Sequence, residues 1–125
     1  MISKLDTDSK TDHSKRGKRS RNKGKRGERE VAKILQTAGF PARRTVQYNG
    51  RPGTAADVVG VPGLHLEVKF IEKERIREWY RQAERDATAS TDNEMPVVVH
   101  RKSREPWLVT LSLANFIKII KLRGD

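Results

Sequence analysis

An α/β fold, a mixed β-sheet flanked by helices, is what this sequence predicts, and three observations predict it. Apolar residues recur at three-to-four spacing in three separated stretches, as they do in amphipathic helices. Between the first two stretches, two short apolar runs flank Pro62-Gly63, as in strands joined by a tight turn. Two more short apolar runs, 95–101 and 106–111, precede the last helical stretch. The order α-β-β-β-α-β-β-α contains no repeat and describes a mixed sheet packed by helices.

Taken in order, residues 1 to about 23 are Ser, Thr, Asp, Asn, Lys and Arg, with apolar residues only at Met1, Ile2 and Leu5. Such a stretch buries too little surface to offset its ordering entropy and is expected to be disordered, which leaves residues 24–125 as one domain. From Gly27, the stripe Val31, Ala32, Ile34, Leu35 and Ala38 predicts a helix, stopped by Gly39. Residues 43–47 read as a strand and 48–55, with Asn49-Gly50 and Pro52-Gly53, as a loop. The hairpin about Pro62-Gly63 follows. A helix over 71–90 is expected to bury Ile76, Trp79, Tyr80, Ala83 and Ala87. The late strands are joined by the basic turn Lys102-Ser103-Arg104-Glu105, and a last helix over 112–122 carries Leu113, Phe116, Ile117 and Ile120.

The hairpin carries the chemistry. With the turn centred on Pro62-Gly63, Asp57 falls opposite Glu67, and Glu67 and Lys69, two apart, project from one face of their strand. Two carboxylates and an ammonium then converge on one spot. Oxygen donors of this kind suit a hard cation such as Mg²⁺, which binds through carboxylates plus substrate phosphate, and the lysine can stabilise charge on a phosphate under attack. The bland alternative is a solvated E-x-K face. In the first helix, Glu28 sits beside the apolar stripe and can look into the fold, whereas Glu30 points away; a first-turn Glu also suits the helix dipole. His65 and His100 read as satisfied strand histidines, and Gln82, one turn after Trp79, is a peripheral candidate.

Charge limits the partners. The 125 residues hold 27 Lys and Arg against 16 Asp and Glu, a net charge of +11, with 34% apolar content. That balance points to a polyanion, nucleic acid first. Lys15, Arg16, Lys18, Arg19, Arg21, Lys23, Lys25 and Arg26 form a basic arm suited to phosphate. There is no cysteine, hence no disulfide framework and no thiolate metal site. No apolar run approaches a membrane span and the first residues form no signal-like core, so an intracellular protein with no membrane partner is expected.

The ordered set Gly24-Lys25-Arg26-Gly27-Glu28-Arg29-Glu30, Gly39-Phe40, Arg44, Asp57-Val58-Val59 and Glu67-Val68-Lys69, followed by Pro96-Val97-Val98-Val99 and Trp107-Leu108-Val109, resembles the archaeal-type Holliday junction resolvases of the PD-(D/E)xK nuclease superfamily. The resemblance runs from about Gly24 to Leu111. It implies a restriction-endonuclease-like mixed sheet flanked by helices. It implies further that Glu28, Asp57 and Glu67 hold or position Mg²⁺ (Mn²⁺ able to substitute) together with the Val68 carbonyl, that Lys69 is the essential lysine, and that Arg29 and Arg44 contact DNA phosphate or support the site. Lys23, Lys25 and Arg26 join them as DNA-binding residues from the basic arm. Family members act as homodimers that nick two opposed strands of four-way DNA. This chain departs from them in a longer loop before Asp57, which lacks the serine often found there and offers only Thr54, and in a longer basic arm.

A structure-directed, metal-dependent endodeoxyribonuclease is thus expected. Its rivals are a related nuclease acting on flaps or duplex ends, and a non-catalytic nucleic-acid-binding protein whose Asp57, Glu67 and Lys69 are only a surface ion cluster.

Overall fold

A computed structural model of the chain describes residues 4–45, 55–90 and 92–123, with side chains from Lys15 onward. The elements are α1 (Lys4–Thr37), β1 (Arg43–Arg44), β2 (Val58–Val59), β3 (Leu64–Phe70), α2 (Ile76–Ala89), β4 (Met95–Arg101), β5 (Leu108–Thr110) and α3 (Leu113–Leu122). Their order is the one the sequence predicts.

The five strands form one sheet in the order β1-β2-β3-β4-β5. Only β3 and β4 are parallel, paired from Leu64↔Met95 to Phe70↔Arg101. A parallel pair needs a long crossover, and α2 is the helix that makes it. The β2–β3 turn closes with Leu64 N–H on the Val61 carbonyl at 3.3 Å, and Gly63 sits at φ 79°. Pro at the second position and a positive-φ Gly at the third make a type II turn.

Strand alternation sorts the core into two layers. Leu66 and Val68 of β3 join Val58, Val97 and Val99 beneath Val31 and Ala32 of α1. The opposite face puts Val98 against Trp79 and Ala83 of α2, with Ile76 and Tyr80 beside them. His100 is buried there, 2.9 Å from Thr110 Oγ1 and tilted against Trp79 at 5.8 Å. It is the satisfied strand histidine that the sequence suggests.

One helix runs from Lys4 to Thr37, through the basic arm. Low hydrophobicity argues against tertiary burial, but it says little about local helicity. Lys and Arg are good helix formers, no proline interrupts the segment, and Gly17 and Gly24 cost only about 1 kcal/mol each. Once packing has nucleated residues 27–37, each further turn adds at little cost.

At the other end, α1 stops at Gly39 (φ 100°), whose N–H reaches the Gln36 carbonyl while that of Phe40 reaches Leu35. This is a Schellman cap. The helix has by then run past the sheet, so Ile34 and Ala38 are exposed instead of lying in the stripe.

Smaller corrections follow from pairing. β3 continues to Phe70 and Ile71 N–H still bonds the Arg101 carbonyl at 3.2 Å, so α2 begins at Ile76 instead of near 71. The late strand shortens from 106–111 to Leu108–Thr110. Of the first predicted strand, 43–47, residues 43 and 44 are strand; residues 46 and 47, with nearly all of the loop 48–55 and Thr54, lie outside the described residues.

Gly27 allows a close approach of α1 to the sheet. A Cβ there would lie 2.9 Å from Phe70 Cβ and 3.3 Å from the Trp107 ring. Around this contact Phe70 meets Trp107 edge-on at 5.8 Å, and the Arg101, Lys23 and Arg26 cations lie 4.1, 4.6 and 5.0 Å from its ring centre. Arg101 also pairs with Glu30 at 3.0 Å. Trp107 is therefore packed inward, while Leu108 and Val109 beside it are exposed.

Candidate active site

A cleft of about 1000 Å³ opens where α1, β1, β2, β3 and α2 meet; Glu28, Arg44, Asp57, Glu67, Val68, Lys69 and Gln82 line it. Residues 41 positions apart in sequence, from Glu28 to Lys69, are gathered there by the two-layer packing. The register Val58↔Leu66 brings Asp57 level with Glu67, as the turn position predicts.

Asp57 is pinned twice to β3. Its N–H donates to the Leu66 carbonyl at 2.9 Å, and its Oδ2 accepts the Val68 N–H at 2.8 Å. On the other side, Thr45 N–H donates to the Asp57 carbonyl at 2.9 Å. Burial pushes the Asp57 carboxyl up to about 8; the Glu67 charge, a side-chain hydrogen bond with Glu67 and the more distant Glu28 charge act in the same direction, against the Val68 bond. Two carboxyls hydrogen-bond to each other only by sharing a proton.

Glu67 is 3% exposed and His65 1%. His65 Nε2 lies 2.9 Å from Glu67 Oε1. Burial alone would lower the His65 pKa, but the hydrogen bond and charge of Glu67, helped by Glu94 and Asp86, outweigh it and raise it. Asp86 stands behind the same pair, and its carboxyl is raised by desolvation and by the Glu67 charge. Sequence reasoning set His65 aside and did not notice Asp86. The available signal was the spacing of Gln82 and Asp86, four apart on the α2 face that covers β3.

Lys69, half-buried, donates to Gln82 Oε1 at 3.1 Å. Glu28 Oε2 accepts from Arg44 Nε at 2.5 Å, which ties α1 to β1 and places Arg44 as a support of Glu28. Glu30 does not line the cleft; it pairs with Arg101 and Arg26 instead.

The basic residues divide. Lys25 lines the cleft. Lys23 also borders it, but its ammonium pairs with Glu72, whose carboxylate is held down to about 2 by hydrogen bonds from Lys23 and then Ser103. Arg26 is engaged with Glu30 and Phe70, and Arg29 is exposed outside the cleft. Arg21 of the basic arm and Ser20, which carried no assignment from the sequence, line the wall that α1 contributes.

In donor chemistry, the carboxylates of Asp57, Glu67 and Glu28 suit a hard divalent cation. Asp57, Glu67 and Glu28 are each held through one oxygen by a protein group, and a cation would offset the burial and the neighbouring carboxylate charges that raise the Asp57 carboxyl. Ligand atoms of His65, Glu67 and Asp86 also lie within 4.8 Å of one another. That trio is the poorer candidate, because His65 and Asp86 do not line the cleft and imidazole is not a favoured Mg²⁺ donor.

Residues 19–123 match the family described as "Phage putative PDDEXK endonuclease". Among solved structures, the chain is similar to Hjc of Archaeoglobus fulgidus, a Holliday junction resolvase from an archaeal hyperthermophile, with a TM-score of 0.54 and 24% identity over 70% of this chain and 76% of that one. The likeness identifies the fold as the restriction-endonuclease-like mixed sheet. Comparison with curated proteins yields no match. No helix among the described residues is long and apolar enough to cross a membrane.

Proposed function

Because the chain belongs to this phage PDDEXK endonuclease family, we propose that it is a metal-dependent, structure-directed endodeoxyribonuclease that resolves four-way DNA junctions as a homodimer. The observation that carries the reading is the meeting of Glu28, Asp57, Glu67 and Lys69 in one cleft bordered by basic side chains. A bound Mg²⁺, or Mn²⁺ in its place, supplies Lewis acidity at the scissile phosphate and a nucleophilic water at neutral pH. Asp57 and Glu67 would hold it with the Val68 carbonyl, and Glu28 would hold or position it. Lys69, oriented by Gln82, offsets charge developing on the phosphate. Arg44 fixes Glu28, and Lys25, with Lys23, Arg26 and Arg29 farther out, contributes DNA contact. Residues 1–23 serve as the DNA-binding arm of a nuclease domain spanning 24–125.

α3 has no buried residue; its Phe116, Ile117, Ile120 and Leu122 are exposed, as are Leu108 and Val109 of the edge strand β5. An exposed apolar helix and an open strand edge form surface that calls for cover. A two-fold dimer would cover it and supply the second active site that paired nicking requires.

The test is a synthetic four-way junction, a flap and a linear duplex of one sequence, each incubated with the protein in Mg²⁺ or in EDTA. Symmetric paired nicks on the junction in Mg²⁺ are the expected result. Cleavage confined to flap or duplex replaces the resolvase reading with that of another nuclease, and binding without cleavage rejects catalysis altogether.

A further inference from the structure

We infer that the middle of α1, from Lys18 to Glu28, is a phosphate rail, which grips the DNA backbone on one side only of the scissile bond. This rests on the nuclease reading above, which supplies the scissile bond itself. Lys18, Arg21, Lys25 and Glu28 follow one another at intervals of three, four and three residues along a single continuous helix, so they form one stripe along its surface. Arg21, Lys25 and Glu28 all line the catalytic cleft, and Lys18 extends the stripe outward. The stripe therefore begins at a carboxylate of the site and leads away from it through three cations.

The other cations of this segment are disposed differently. Lys23 is paired with Glu72 over Phe70. Arg16 and Arg19 are exposed and do not line the cleft, and at about 100° per residue they fall on the side of the helix away from Arg21. Because the helix is rigid, the stripe has a length as well as a charge. At about 1.5 Å per residue, Lys18 stands about 15 Å from Glu28 along the axis, and Arg21 about 10 Å. A DNA strand advances about 3.4 Å per nucleotide along its axis, so the rail spans roughly four phosphates. A flexible arm would spread its charge over either side of the cut. A helix that extends in one direction from the site confines it to one.

Two measurements on the full-length chain test the rail. The first is the salt dependence of binding to duplex and junction DNA in EDTA, where no cleavage interferes. Arg21→Ala and Lys25→Ala should each flatten log K against log salt by about 0.9 on duplex arms. Arg16→Ala and Arg19→Ala should leave the slope near that of the wild type. Equal flattening by all four overturns the rail in favour of an undirected basic cloud. The second is cleavage of junctions carrying one neutral methylphosphonate at each position within four nucleotides of the cut. Wild type should be slowed by neutral linkages on one side only, and Arg21→Ala should be indifferent to the linkage that Arg21 faces. Sensitivity on both sides, or sensitivity unaltered by Arg21→Ala, overturns it. Failure to cut any substrate, alongside face-specific salt slopes, rejects the nuclease reading and with it the one-sided grip on a scissile bond, and leaves only the stripe's phosphate contacts standing.

Discussion

His65 Nε2 lies 2.9 Å from Glu67 Oε1, and both side chains are almost wholly buried beneath α2. A buried carboxylate without a partner is costly, so His65 both stabilises Glu67 and fixes which way its carboxylate faces. Removing this support should disturb Glu67 without touching the substrate. His65→Ala is expected to cost about 1–3 kcal/mol of stability and to lower kcat more than it weakens DNA binding. His65→Asn, which keeps a donor, should recover part of the rate. Chemical denaturation with single-turnover kinetics checks both. Unchanged kcat in His65→Ala would remove the positioning role.

Asp57→Ala, Glu67→Ala, Lys69→Ala and Glu28→Ala should each lower the cleavage rate by orders of magnitude while DNA affinity stays near wild type. Loss of a carboxylate removes negative charge from beside the phosphate, so binding can even tighten. Glu30→Ala should behave differently. It leaves the Arg101 guanidinium, whose Nε already lacks a partner, without its ion pair, so the expected result is a loss of about 1–3 kcal/mol with activity retained. Equal rate losses at Glu28 and Glu30 would contradict the assignment.

The Asp57 carboxyl, at about 8 in the folded chain against 3.8 normally, sets a pH dependence. Between those values the folded state holds a proton that the unfolded state has lost. Metal-free stability from this group therefore falls as pH rises through the window, and levels off above about 8. Asp57→Asn cannot ionise and should lose that slope, so the excess of its melting temperature over that of the wild type in EDTA should grow with pH and level off above about pH 8. Mg²⁺ competes with the proton, so it should stabilise the wild type more at pH 8 than at pH 6 and should not rescue the variant in this way. Parallel melting curves for the two proteins across pH 5–9 would rule this out.

Gly27→Ala adds one methyl at a close contact between α1 and β3. Phe70 Cβ is backbone-anchored and cannot swing aside, so the helix must move. Overpacking of this kind costs about 1–3 kcal/mol, and the shift is transmitted to the adjacent Glu28. Lower stability together with reduced cleavage is expected, and a variant with wild-type melting and wild-type rate would show that α1 need not approach so closely.

Sedimentation equilibrium at micromolar concentration without DNA should report about twice the 14.3 kDa chain mass if the α3–β5 face is a two-fold interface. Phe116→Glu, which puts a charge at the centre of that face, should give a folded monomer that nicks junctions singly. A wild-type monomer that still makes paired cuts would defeat the dimer.

The sequence by itself determined the order of elements, the Pro62-Gly63 turn and the level of Asp57 with Glu67, because these depend on short-range periodicity and turn chemistry. It also separated Glu28 from Glu30, since one sits beside the apolar stripe of α1 and the other does not. What tertiary structure alone decided are contacts between elements far apart in the chain. The parallel pairing of β3 with β4 lets α2 cross over the sheet and carry Gln82 to Lys69 and Asp86 to the His65–Glu67 pair. The same packing occupies Lys23 and Arg26 on Phe70 and leaves Arg21 and Lys25 facing the cleft. A string of lysines and arginines looks uniform in sequence; which of them face the cleft depends on helix phase and on the surface against which the helix lies.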